Sequence, residues 1–133
     1  MRTKGAKTMV VTEWLESIKG VNKALMLAQK DYKRASASRD TEAAAYYNSI
    51  LEEVKLKKRA AENIIDRLPS SQLRLPMRLY YIEGLKWGEI AFIIGTSIPT
   101  AKNRCDKAIE ELGTILDEIG AKYNIDMSRR NKK

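Results

Sequence analysis

The chain has no histidine, one cysteine, three prolines and one phenylalanine in 133 residues. Without histidine, the commonest general base and the commonest metal ligand are both missing. No glycine-rich phosphate loop, metal-ligand cluster or nucleophile–base constellation replaces them. The reading is therefore no enzyme, no metal and no cofactor. Paired acids such as Glu52-Glu53 and Glu110-Glu111 fall on predicted solvent faces of helices. One cysteine excludes an intramolecular disulfide and fits a reducing compartment. No apolar run approaches the ~20 residues that span a bilayer. Basic Met1 to Met9 is followed by no apolar signal core. The expectation is a single-domain cytoplasmic protein with no membrane partner.

What is present is charge and helical periodicity. Hydrophobic residues make up 44% and charged residues 32%, a helix-rich balance with a well-solvated surface. The net charge of +8 favours polyanion partners. Residues 1–10 carry +3 and residues 113–133 carry +2, whereas residues 69–112 carry only +1. The two ends read as a basic arm, 1–10, and a basic tail, 123–133, predicted to be disordered and to add phosphate contacts.

From Thr12 a long helix is predicted, with Trp14, Ile18, Val21, Leu25, Ala28 and Tyr32 at alternating steps of four and three. That is a heptad seam, with a bend expected at Gly20. A second helix, Thr41 to Leu68, carries Ala44, Tyr47, Leu51, Val54, Lys58, Ala61, Ile65 and Leu68 in the same rhythm. The short link predicts an antiparallel hairpin over 11–68. Leu15, Ile50 and Ile64 lie off the seam and need cover, from the rest of the chain or from a second copy, so a homo-oligomer through the hairpin is expected. The run Lys55 to Arg59 reads as a solvated face paired with nearby glutamates.

Leu68-Pro69-Ser70-Ser71 breaks the pattern. Pro76 then requires that the next helix begin near it or bend at it. Beyond Gly84, two short apolar-periodic segments flank Gly95-Thr96-Ser97. The first holds Ile90, Ala91 and Ile94; the second holds Ala101, Cys105, Ala108 and Leu112. Gly95 suits a left-handed helix end, Ser97 an N-cap, and Pro99 a first helical turn. Lys86 replaces a good N-cap residue, but Glu89 can reach back to the exposed N–H groups. These features describe a helix-turn-helix over 69–122.

The run EGLKWGEIAFIIGTSIPTAKNRCDKAIEEL resembles the DNA-binding helix-turn-helix in region 4 of bacterial sigma factors, through Glu83-Gly84-Leu85, Glu89-Ile90-Ala91, Gly95, Ser97, Thr100, Lys102, Arg104 and Ala108. The chain is too short for a sigma factor. Its layout, hairpin then helix-turn-helix, resembles phage late-transcription regulators of the RinA/ArpU type. The resemblance implies an all-α fold and a sequence-specific transcriptional activator. Its implied partners are double-stranded DNA and bacterial RNA polymerase.

In a helix-turn-helix the second helix enters the major groove. Asn103 is placed to read adenine, and Arg104 or Lys102 guanine. Thr100, Lys107, Ser97 and the helix start, with Pro99, are placed near phosphates. Trp87 has two readings: an indole N–H on a phosphate, or packing against Leu85 and the hairpin. Cys105 reads as a small core residue. Phe92 sits where the sigma pattern has a charge. Packing under the hairpin is the favoured reading, and an exposed anchor for polymerase or a second protomer is the other. Two further functions compete: a small terminase-like DNA-packaging recognition protein, and a polymerase- or sigma-binding interaction module.

Overall fold

A computed structural model describes the backbone of residues 6–132 and the side chains of residues 10–116. Every regular element among them is helical. They are α1 (Ala6–Ser17), α2 (Val21–Ala37), α3 (Thr41–Ile65), α4 (Ser71–Met77), a π-helical turn (Arg78–Ile82), α5 (Trp87–Ile94) and α6 (Ile98–Lys132). None is long and apolar enough to cross a membrane.

α2 turns back on α3 through Ser38–Asp40. The Asp40 carboxylate caps α3, accepting from the Ala43 N–H at 3.0 Å. Ala28, Leu51 and Ala61 of the two seams are buried, as is Ala35 at the end of α2. Small residues on one side and leucine on the other let the helices approach closely.

The first helix departs from expectation in three ways. It starts at Ala6, inside the stretch read as a basic arm; residues 1–5 lie outside the described residues. It is also separate from α2. Gly20 adopts φ +77, and a left-handed residue re-aims the chain more sharply than a bend. Finally, α1 packs along α6, and Val11, Leu15 and Ile18 join Leu112, Cys105 and Ala108 in one core. Leu15 is wholly buried there.

That core also takes Ile65 and Leu68 from α3 and its exit, and Leu73, Met77 and Ile82 from α4 and the π turn. It therefore joins the 11–68 and 69–122 segments. The break at Gly20 is held from the other side. The Gly20 N–H donates to the Tyr81 carbonyl at 2.7 Å, and Asn22 Nδ2 donates to Glu83 Oε1 at 2.8 Å.

Pro76 neither starts a helix nor ends one. It lies inside α4, fully buried, and the helix widens just after it. The Glu83 N–H donates to the Arg78 carbonyl five residues back, at 3.0 Å. A π turn is a known way to absorb one extra residue in a helix. Ser70 caps α4, and Arg74 Nη1 donates to the Leu68 carbonyl at 2.6 Å. Arg78 reaches Glu62 at 3.3 Å and Asp66 at 3.7 Å. These contacts tie α4 and the π turn to the end of α3. At the other end of the chain, α6 continues as helix to Lys132, where composition predicts a disordered tail. No proline interrupts the chain after Pro99.

Two buried acids make the core sensitive to alkali. Burial pushes the Cys105 thiol up to about 12, and Asp106 adds to the shift. Burial, then the charge of Glu16, raises the Tyr81 phenol. Unfolded, the cysteine releases its proton near pH 9. Above that pH the folded chain holds more protons than the unfolded one, so stability falls as pH rises toward 12. Urea midpoints measured across this window should decline, and Cys105→Ala should flatten the decline.

Candidate nucleic-acid interface

α5 and α6 meet across a second, smaller core of Ile90, Ala91 and Ala101, with Leu79, Leu85 and Ile94 packed on it. The turn between them follows from three local features. Gly95 takes φ +74 and ψ 37, and the Thr96 N–H donates to the Ala91 carbonyl at 2.9 Å. Ser97 Oγ accepts from the Thr100 N–H at 3.3 Å and donates to Thr100 Oγ1 at 3.0 Å, which caps α6. The Lys86 N–H donates to Glu89 Oε1 at 2.9 Å. An ammonium has no acceptor, so this is half of a capping box.

Ala101, Cys105, Ala108, Ile109 and Leu112 form the buried side of α6. At 100° per residue, Pro99, Asn103 and Lys107 point about opposite to that side. All three are exposed. The structure thus brings Asn103 and Lys107 onto one outward face, with Pro99 one turn nearer the helix start. Ser97 and Thr100 stand at that start, their hydroxyls bonded to each other.

Lys102 and Arg104 do not share this face. They lie on opposite flanks of α6, Lys102 exposed and Arg104 half-buried. Arg104 turns toward α4, where it lines an open cleft of about 700 Å³ with Arg74, Arg78, Leu75 and Ile93. Three arginines and no acid line that cleft. The i, i+4 spacing of Arg74 and Arg78 marks their shared face in the sequence, but nothing there signals that α6 adds a third. Arg74 of α4 thus adds a basic side chain outside the segment that carries the sigma resemblance, while the charge of Arg78 is offset by Glu62 and Asp66.

Trp87 is half-buried, and its ring stacks on Tyr80 with centroids 4.3 Å apart. Lys19 Nζ lies over the other partner of that stack, 4.0 Å from the Tyr80 centroid. The indole thus packs on the π-helical turn. Phe92 is a correction. It is 87% exposed, so it does not pack under the hairpin. On the short α5, Ile90 and Ala91 fill the inward side, and Phe92 falls about opposite. Ile93, next to it in sequence, and Ile98 at the start of α6 are also exposed. No family model, curated protein or solved structure matches the chain.

Proposed function

We propose that the protein is a sequence-specific DNA-binding transcriptional regulator, acting as a phage or prophage late-gene activator with host RNA polymerase in the bacterial cytoplasm. In this reading α5 and α6 form the sigma region-4-like helix-turn-helix, and α2 with α3 forms the hairpin through which copies associate. One observation carries it. The outward face of the first turns of α6 presents Asn103 and Lys107, with a capped helix start above them. Asn103 supplies the donor and acceptor pair that matches adenine. Ser97, Thr100 and Lys107 supply phosphate contacts, and Lys102, on the exposed flank of α6, is the side chain left to reach guanine. The charged side chains expected of the 123–133 tail lie outside the described residues.

Selection of bound sequences from a random duplex pool tests this directly. Enrichment of one discrete motif is expected. Asn103→Ala should then cost about 1–3 kcal/mol on that motif and leave random duplex binding unchanged. Equal losses on both would reject base reading by Asn103. The exposed Phe92 and the weak +1 charge of residues 69–112 favour, as second reading, a protein-interaction module for polymerase or a sigma factor. A pool with no enrichment would select it. Enrichment of a packaging-site repeat would select the terminase-like function.

A further inference from the structure

A second heptad stripe runs along α3, away from α2. Tyr46, Ile50, Glu53, Lys57, Ala60 and Ile64 recur at steps of four, three, four, three and four. It lies about 100° around the helix from the seam that α2 covers, one residue before it at each step. Tyr46 is 63% exposed, and Leu56 on its flank is 62% exposed. Among the described residues Glu53 and Lys57 are paired with each other, at 3.7 Å on an exposed surface.

The stripe is complementary to itself in one direction only. Take a second α3 antiparallel to the first and centred on residue 55. Ile50 then faces Ala60 of the second copy and Glu53 faces its Lys57, while Tyr46 stands at the end where Ile64 of the second copy is half-buried against its own core. Each pairing occurs twice by symmetry. A parallel pairing would set Glu53 on Glu53 and Lys57 on Lys57, which repel. Leu56 lies beside the centre, where the two copies of it meet and cover the charged layers. Charge complementarity thus names both the occupant and its direction.

We infer that α3 pairs antiparallel with α3 of a second copy, about a twofold axis at residue 55. This rests on the self-association included in the function proposed above. It is an isologous interface, and each copy offers the same patch. The two α5–α6 units, which follow the end of α3, then sit toward opposite ends of the dimer. The ends of α3 at Ile65 are about 30 Å apart along its axis, at 1.5 Å per residue. Half-sites one turn apart on DNA are separated by about 34 Å. A twofold dimer of this span reads an inverted repeat.

Sedimentation of the full chain without DNA tests the interface independently of DNA reading. The wild type should run as a dimer. Glu53→Lys alone and Lys57→Glu alone should each weaken dimerisation about tenfold or more, since each places like charges in both central layers. An equal mixture of these two variants should recover a dimer, because every central layer then pairs opposite charges. Leu56→Glu should weaken it as well. An effect of the broken i, i+4 pair on helix stability cannot produce recovery on mixing, and circular dichroism should show all three variants folded. A monomeric wild type would overturn self-association itself. A dimer indifferent to the charge changes, or variants that fail to recover on mixing, would overturn this interface while leaving self-association standing.

Discussion

Gly84→Ala is expected to destabilise the fold by about 3 kcal/mol. Gly84 has φ +73, and a left-handed backbone costs a residue with a Cβ roughly 1–2 kcal/mol. The rest comes from what that Cβ would meet. It would stand 2.9 Å from the Cα of Gly20, a backbone atom that cannot rotate away. To make room, the two chain segments must part. That strains the 2.7 Å bond from Gly20 to the Tyr81 carbonyl and the 2.8 Å bond from Asn22 to Glu83. A typical intramolecular hydrogen bond contributes about 0.5–1.5 kcal/mol, and the exposed Asn22–Glu83 bond stands at the low end. Gly20→Ala is the internal comparison. It has φ +77 too, but nothing lies within 4 Å of its added Cβ. It should cost only the backbone share, about 1–2 kcal/mol. Urea denaturation of both variants decides the matter. Equal losses would mean that the two segments are not held in close apposition.

The Gly20–Gly84 contact also shows where sequence reading stops. Gly20 is legible as a bend and Gly84 as the boundary before the helix-turn-helix, but their meeting is not, because 64 positions separate them. Local chemistry was legible. Asp40, Ser97 and Gly95 each act through neighbours within five residues, so their capping and turn roles could be read directly. The seam of Ala28, Leu51, Ala61 and Ile65 was legible too, because a heptad rhythm averages over many residues. Leu15 was not. Along a helix continuous through Gly20 it falls off the seam, and a left-handed residue there resets the register. Phe92 failed for a related reason. Hydrophobicity suggested cover, but α5 is short, and Ile90 and Ala91 already occupy its inward side. Arg104 was read as a base contact from its position along α6. Its turn toward Arg74 and Arg78 depends on how α4 packs on α6, which no periodicity within one helix contains.

Leu15→Ala is expected to cost about 3–4 kcal/mol, near the middle of the range for a leucine truncated in a closed core. Leu15 is wholly buried in the cluster that includes Ile65, Met77 and Leu112, so atoms removed there leave a cavity. An α1 helix that merely extended the hairpin would leave Leu15 off its seam and the loss small. Leu27→Ala provides that contrast. Leu27 is 54% exposed on α2, and its truncation should change stability by less than about 0.5 kcal/mol. The position of Leu15 also links stability to the proposed interface. α1 packs on α6, the same helix that presents Asn103 and Lys107 on its other side. A cavity under α6 loosens the helix whose orientation base reading requires. Specific DNA affinity should therefore fall in Leu15→Ala even where the protein remains folded, while electrostatic binding to random duplex should hold. Unchanged affinity for the selected motif, in a folded Leu15→Ala protein, would show that α1 supports the fold without setting the geometry of the reading helix.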